Sequence, residues 1–425
     1  MIKPKRVVLF SLFVLSLSFT VFSTRLTAPA KAAAPGAQTY YTLTFDKPSK
    51  DSFIEGAGSM DQNYGAAWRI DFGFDNYTTR ALRVLVQFDL PPEMSGANIT
   101  SATLKLWGPW PFSGGFPSGD VLRACRVTHY WVEGTGVRDG VTWNEYNYSD
   151  GLTTGANNWA MPGGDYTLAD SATLIVPPYS VQDGVVVTTW TYLNWTVTDM
   201  VKGWANGTYP NCGFLIKLDN ESGNYRGGGF PSKEYAEEFA HDLSYAPKLE
   251  ITYAAVTIES CTLTGDRKDN FTPSETVYVT GNAYSPSTTY DFYIVADQEN
   301  WSDGKAIPQR ILGTATTISS NANGDIPPTA VWSNALTVGK YDVVVDVNGN
   351  GKYDVGIDAL DDSDVEITAG FLIPEFPSFL ILPLVIVTLV AVSLRLGLLP
   401  TRRRGDMSKM FCLEREGARR RPATA

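Results

Sequence analysis

The stretch Thr79-Arg-Ala-Leu-Arg-Val-Leu-Val-Gln-Phe-Asp-Leu90 decides the fold of this chain. Apolar side chains occupy every second position of it: Leu82, Val84, Val86, Phe88 and Leu90. Side chains two residues apart lie on the same face of a β-strand, so this face packs on a core. The residues between them, such as Arg83 and Gln87, predict that the opposite face is polar.

The same alternation returns in three further runs between Tyr40 and Ala254: 102–106, 214–218 and 249–253. Gly, Pro and Asn separate these runs, and long helical patterns are missing. This texture predicts an all-β jelly-roll sandwich over residues 40–254. One short helix is predicted at Asp199–Trp204, capped by Thr198 and burying Met200, Val201 and Trp204.

Residues 255–368 are richer in Thr, Val and Ser, with turns such as Asn323-Gly-Asp325. Short strands of this kind predict a smaller immunoglobulin-like β-sandwich. Residues 369–378 contain two prolines and are predicted to be a stiff linker.

Both ends of the chain are hydrophobic. The basic start and apolar run of residues 1–34 predict an export signal that is removed at a small-residue site. Residues 379–399 are apolar enough for a C-terminal transmembrane helix, and the basic tail 400–425 would stay on the cytoplasmic side. We therefore expect a protein on the extracellular face of the membrane, anchored by its C-terminus.

Eight Asn-x-Ser/Thr sequons lie between these two ends, which predicts a glycoprotein. They begin at Asn76, Asn98, Asn147, Asn194, Asn206, Asn220, Asn270 and Asn300.

Net charge and cysteine content limit the possible ligands and the possible cysteine chemistry. A net charge of −11 argues against nucleic acid as a ligand. The exported cysteines Cys125, Cys212 and Cys261 do not have the spacing of a zinc site. Cys125 and Cys212 lie in strand-like runs of one region and are the favoured pair if a disulfide forms; buried free thiols are an equal alternative.

Several blocks of the first region together resemble a known family. They include Asp61-Gln-Asn-Tyr-Gly65, Ile99–Trp107, Val141-Thr-Trp-Asn144, Val197–Trp204, Phe230-Pro-Ser-Lys-Glu234 and Pro247–Tyr253. In this order they resemble the DNRLRE domain family, which is related to disaggregatase repeats and to modules that bind acidic polysaccharide. The resemblance implies a β jelly roll of exported microbial proteins that binds its ligand without chemistry.

The C-terminal region has a second resemblance. Ile373-Pro-Glu-Phe-Pro377, the apolar run and Arg402–Arg404 are similar to archaeal sorting signals. The resemblance implies anchoring either by a retained helix or by a lipid that replaces it. The tail Gly405–Ala425 departs from the usual pattern because such signals end soon after the basic cluster.

Aromatic side chains are the candidates for stacking on sugar rings, since extracellular sugar sites use aromatic faces. Trp107 is predicted to point outward from its strand, and Trp110, Phe112 and Trp159 lie in loop-like sequence. The alternative for each is a structural aromatic that anchors a loop. Trp131, Trp143 and Trp204 are predicted to be core residues.

Cationic side chains are candidates for holding an acidic sugar, because arginine forks match carboxylates. The candidates are Arg80, Arg83, Arg226 and Lys233, with Tyr225 beside them. The alternative is ion pairing with the abundant Asp and Glu.

One loop has the spacing of a calcium site. Asp346, Asn348, Asn350 and Asp354 supply oxygen atoms at positions one, three, five and nine, with glycine at six. Asp358 or Asp361 would complete the shell, and position twelve is Ile357 instead of Glu. The alternative is a plain Asn/Gly turn.

Catalytic motifs are missing from the sequence. His129 and His241 lie in no triad or zinc spacing, although Glu133 and Glu145, or His129 and Tyr130, would suit a polysaccharide-degrading site. We therefore expect a non-catalytic, cell-surface adhesion protein that binds extracellular polysaccharide, neutral or acidic. The alternatives are a structural envelope protein that contacts surface-layer neighbours, and a lyase or glycosidase.

Overall fold

The structure is a computed structural model that describes residues 25–27, 38–75, 77–112, 119–136, 139–148, 157–176, 180–182, 185–187, 191–333, 336–362 and 368–375. Most of the predicted signal, the predicted span and tail, and Asn76 lie outside these residues. Among the described residues, we find no helix that is both long enough and apolar enough to cross a bilayer.

The first region is built from short strands, with α1 at Thr198–Ala205. Single turns of 3-10 helix lie at Pro92–Met94 and Leu243–Tyr245, and a π-helical turn lies at Tyr235–Phe239. Its strands are β1 Arg25–Thr27, β2 Tyr40–Phe45, β3 Lys50–Glu55, β4 Arg69–Asp75, β5 Arg80–Gln87, β6 Asn98–Gly108, β7 Trp110–Pro111, β8 Val121–Val127, β9 Tyr166–Ile175, β10 Ser180–Gln182, β11 Val185–Val187, β12 Thr191–Thr196, β13 Phe214–Leu218, β14 Arg226–Pro231 and β15 Lys248–Ala254.

Two antiparallel sheets of this region share one core. One sheet has the order β1-β2-β15-β6-β12, and the other has β7-β14-β4-β5-β13-β8-β9, with β3 also paired to β5. Leu104, Trp195 and Ile251 of the first sheet belong to the same buried cluster as Val84 and Phe214 of the second. The all-β prediction is confirmed.

Strand β5 is buried on both faces. Leu82, Val84 and Val86 face the main core as predicted. Leu85, on the opposite face, is also fully buried, because a smaller cluster that includes Trp131, Trp159 and Leu215 covers it. The prediction of a polar outer face on this strand is therefore wrong.

Helix α1 buries Met200, Val201 and Trp204 as predicted, but its start differs. Val197 is the residue before the first turn, and no side chain caps it. The Thr198 hydroxyl instead accepts a hydrogen bond from the amide of Ala102 at 3.0 Å, which ties the helix to β6.

The three cysteines of the described chain, Cys125, Cys212 and Cys261, are free and buried. The favoured disulfide between Cys125 and Cys212 is therefore not formed, and the alternative of buried thiols holds. Burial raises the pKa of the Cys125 thiol to about 11, which keeps it protonated.

The second region is also all-β. Its strands are β16 Thr257–Cys261, β17 Val277–Asn282, β18 Thr289–Ala296, β19 Lys305–Ala306, β20 Thr317–Ser319, β21 Ile326–Trp332, β22 Gly339–Asp346, β23 Lys352–Tyr353, β24 Ala359–Asp361 and β25 Phe371–Ile373. They form sheets β16-β17-β21, β20-β18-β22-β24 and β19-β23. The finer assignment to an immunoglobulin-like fold stays a prediction.

Part of the predicted linker belongs to this region. Phe371–Ile373 forms β25, which pairs with β22 from Gly339 to Tyr341. Phe371 and Ile373 are fully buried. The chain therefore remains packed up to this point, and the linker prediction is wrong for these residues.

Candidate functional site

A continuous series of contacting aromatic rings lies on the first region. We call it the aromatic row, and its members are Trp68, Trp107, Trp110, Tyr192, Tyr235, Phe239 and Tyr245. The centroids of neighbouring rings lie 5.0 to 5.9 Å apart. Trp68 and Phe239 are 58% and 59% exposed, and the other members are partly exposed. The row thus offers accessible ring surface to a ligand.

Two neighbouring strands position one end of the row. Trp107 on β6 is the register partner of Tyr192 on β12, and their rings lie 5.1 Å apart. Directly opposite residues of an antiparallel pair share one face, so both point away from the core residue Leu106. The prediction that Trp107 points outward is confirmed.

The helical turn after β14 positions the other end. Tyr235 and Phe239 are four residues apart on this turn, and their rings lie 5.3 Å apart. The Ser232 hydroxyl accepts a hydrogen bond from the Tyr235 amide at 3.1 Å and fixes the start of the turn. Tyr235 then contacts Trp110, whose strand β7 pairs with Gly229 of β14.

Glycine in β14 makes room for a cationic side chain next to the row. A Cβ on Gly229 would lie 2.4 Å from Cγ of Arg69, so only glycine lets this side chain cross the strand. The Arg69 guanidinium donates two hydrogen bonds to Asp71, at 2.6 and 3.0 Å. It also lies 5.2 Å from the ring centroid of Phe112, which stacks on Tyr225. The predicted candidates Phe112 and Tyr225 therefore meet beside Arg69, whose side chain is 41% exposed.

Trp159 does not belong to this surface. It is only 3% exposed, and its indole donates to the carbonyl of Thr142 at 3.0 Å. It packs in the cluster that covers β5, so it anchors a loop instead of presenting a ring. Trp131 and Trp204 are core residues as predicted, whereas Trp143 is half-buried.

The predicted cations serve structural contacts. Arg80 pairs with Glu55 and Asp75, and the Arg83 guanidinium pairs with Glu221 at 2.7 Å. Arg83 also donates to the carbonyl of Gly163 and lies over the Trp143 ring. The ion-pairing alternative describes both residues.

Arg226 and Lys233 are similarly engaged. Arg226 is 7% exposed and donates to the carbonyl of Asn220 at 2.6 Å. The Lys233 ammonium binds the carboxylates of Glu133 and Glu234. Both cationic groups already have protein partners, so neither is free to hold an acidic sugar.

The residues that would suit catalysis each have separate structural contacts. Glu133 accepts from Lys233 and from the amide of Asp51, and Glu145 is 3% exposed. His129 is exposed and its ring lies 4.1 Å from that of Tyr146, while Tyr130 is 60% exposed.

The predicted calcium loop is tightly organised around Asp346. Its carboxylate accepts hydrogen bonds from the amides of Gly349 and Gly351, both at 2.8 Å. The side-chain amides of Asn348 and Asn350 both reach one oxygen of Asp354, each at 2.7 Å. Asn348 and Asn350 thus meet at Asp354, whereas the carboxylate of Asp346 is taken up by backbone amides of the loop.

Asp358 lies beneath this loop. It accepts hydrogen bonds from the amides of Val347 and Asp354, at 2.8 and 2.7 Å. Burial raises the pKa of Asp358 to about 7, despite these two amides. Asp361 lies elsewhere, because its carboxylate accepts from Ser260.

Among the described sequons, five carry an exposed asparagine: Asn194, Asn206, Asn220, Asn270 and Asn300. Asn98 and Asn147 are half-buried. The Asn98 amide nitrogen already donates to the carbonyl of Ala283 at 2.7 Å, so a glycan there would break this contact.

The sequence interpretation missed most of the aromatic row. Trp68, Tyr192, Tyr235, Phe239 and Tyr245 were not among its candidates, and neither was Arg69. The spacing of Tyr235 and Phe239, four residues apart, is the one local signal that would have found a pair, had a helical turn been predicted there.

The fold of the first region and its aromatic row define an all-β module that displays aromatic side chains. Residues 58–251 match the family described as the disaggregatase related repeat domain. The match covers somewhat less than half of the 425-residue chain and includes every member of the aromatic row. Among curated proteins no match is found.

Proposed function

We propose that this protein is a non-catalytic, cell-surface protein that binds extracellular polysaccharide through the aromatic row. The observation that carries the proposal is the row of contacting, partly exposed rings on the first region. The match of this region to the disaggregatase related repeat domain supports it. The hydrophobic segments at both ends of the sequence support a surface location.

The chemistry of the row suits sugar rings. The C–H face of a pyranose packs on an aromatic ring, and such contacts exclude water from apolar surface. Tyr192, Tyr235 and Tyr245 add hydroxyl groups, and Arg69 adds a partly exposed guanidinium at the edge. A series of rings suits a polymer because several sugar units bind at once and their contributions combine.

A glycan screen with the purified ectodomain tests the proposal, using neutral glucans and uronate-containing polymers. Trp68→Ala combined with Phe239→Ala removes the two most exposed rings of the row. If each ring contributes about 1 kcal/mol, the double variant weakens binding by roughly thirty-fold.

Tyr77→Ala is the matched control, because Tyr77 is 89% exposed and lies beyond the other end of β4. It should leave binding unchanged. Failure to retain any glycan would argue for a structural envelope role. Product release from a polymer, lost on changing Glu133 or His129, would argue for an enzyme.

We also propose that the loop from Asp346 to Asp358 binds calcium. The spacing of its ligand residues is that of a calcium loop, and Asn348 and Asn350 already meet Asp354. Their two amides need only rotate to present oxygen instead of nitrogen. The ion would lie between β22 and β24 and would order the connection between them.

A further inference from the structure

Three carboxylates converge in the first region, away from the 346–358 loop. One oxygen of each of Asp51, Glu133 and Glu234 lies within 4.8 Å of the other two. We call this the carboxylate cluster. Asp51 is on β3 and only 1% exposed, whereas the side chains of Glu133 and Glu234 are 20% and 14% exposed.

Lys233 neutralises only part of the cluster. Its ammonium binds one oxygen of Glu133 and, at 2.5 Å, one oxygen of Glu234. Its backbone amide donates to Oδ2 of Asp51 at 2.8 Å. Oδ1 of Asp51 and Oε2 of Glu234 are buried and have no hydrogen-bond partner.

Two buried carboxylate oxygens without partners are costly, because each has lost water and gained nothing in return. With all three carboxylates ionised, the cluster and the Lys233 ammonium carry a formal net charge of −2.

The other cation nearby does not fill this deficit. The Lys50 ammonium donates to the carbonyl of Trp131 at 2.8 Å and lies over the Tyr130 ring.

We propose that Asp51, Glu133 and Glu234 bind a calcium ion. Calcium takes carboxylate oxygens at 2.3–2.6 Å, so two ligands of one ion lie at most about 5 Å apart. The three carboxylate oxygens, all within 4.8 Å of one another, meet this limit. A divalent ion matches the net charge and supplies the partner that Oδ1 of Asp51 and Oε2 of Glu234 lack. The exposed edges of Glu133 and Glu234 admit the ion and its remaining water ligands.

This site would stabilise the aromatic row. Glu234 directly precedes Tyr235, and the turn that follows carries both Tyr235 and Phe239. An ion that joins Glu234 to β3 holds the start of this turn against the sheet. Calcium binding at the carboxylate cluster does not depend on glycan binding by the row.

Calcium binding to the full chain tests the site, measured by isothermal titration after removal of metal with a chelator. Asp346→Asn with Asp354→Asn serves as a background that silences the loop. We expect one calcium per chain to remain in this background, and Glu234→Gln to abolish it. Hydrogen exchange of residues 232–240 should slow when calcium is added to the background variant.

Magnesium alone and Glu237→Gln are the controls; Glu237 is an exposed carboxylate on the same turn that pairs with Lys47. Magnesium should bind more weakly, and Glu237→Gln should retain calcium. A folded background variant that binds no calcium would overturn the proposal, and the cluster would then share a proton. Calcium binding that survives both Glu234→Gln and Glu133→Gln would overturn it equally.

Discussion

Asn63 shows how a single side chain holds the loops that cover β5. Its amide nitrogen donates to the carbonyls of Glu133 and Val141, at 2.6 and 2.8 Å. Its oxygen accepts from the amides of Gly65 and Gly136, at 3.1 and 2.8 Å. The full hydrogen-bonding capacity of this amide is used in a residue that is 1% exposed.

Asn63→Asp should destabilise the protein by about 3 kcal/mol or more. The substitution turns the donor into an acceptor that faces two carbonyl oxygens, and it buries a charge. Chemical denaturation of the purified variant measures the loss. Asn323→Asp, at an exposed turn, should change stability by no more than about 0.5 kcal/mol. Equal effects of the two substitutions would contradict the role of Asn63.

The site was only partly predictable at the level of residues. Trp107 could be assigned outward because alternation along β6 is a local property. Whether Arg83 and Trp159 are exposed depends on a loop that packs across β5. This contact joins residues far apart in the sequence, so no local pattern predicts it. In a sequence, an aromatic or basic residue that binds a ligand cannot be distinguished from one that packs against a neighbouring side chain.

At the level of elements, alternation identified the strands but not what covers them. Leu82, Val84 and Val86 predict one buried face of β5, and the structure confirms it. Leu85 on the other face is buried by the smaller cluster, but a single Leu among polar residues does not predict such a cover, because isolated exposed Leu residues are common. Strand β25 was hidden for a different reason, because it is followed at once by Pro374 and Pro377, which are typical of a linker.

Strand β22 carries a buried carboxylate that should make stability depend on pH. Asp342 is fully buried and accepts from the Trp301 indole at 2.9 Å. Burial raises the pKa of Asp342 to about 6, and the charges of Asp297 and Asp362 act in the same direction. Its folded pKa therefore exceeds its unfolded value near 3.8, so the folded state binds more protons between these values.

The contribution of Asp342 to stability should thus fall as pH rises from about 4 to about 6. Asp342→Asn removes the titration, so the difference in melting temperature between wild type and variant should move in favour of the variant over this range. Thermal unfolding in chelator at several pH values, followed by circular dichroism, measures it. A difference that stays constant with pH would contradict the raised pKa.

At the scale of the whole molecule, the two regions share one buried cluster. It includes Phe88 and Tyr253 of the first region and Ile258 and Val347 of the second. Polar contacts accompany it, since the Ser285 hydroxyl donates to the carbonyl of Gly96 at 3.2 Å. The residue composition changes near residue 254, but nothing in the sequence predicts that the two regions pack against each other.

The shared cluster predicts that both regions unfold in a single calorimetric transition, and Gly96→Ala should separate it into two. Gly96 has φ of +78°, and a Cβ there would lie 2.7 Å from the carbonyl oxygen of Val347 in the second region. The clash forces the two surfaces apart.

Gly58→Ala is the matched control, since Gly58 has φ of +91° and no atom within 4 Å of its Cβ position. It should cost only the strain of the left-handed backbone, roughly 1–2 kcal/mol, and keep one transition. Two transitions in the wild type, or the same single transition in both variants, would show that the regions are not coupled through this contact.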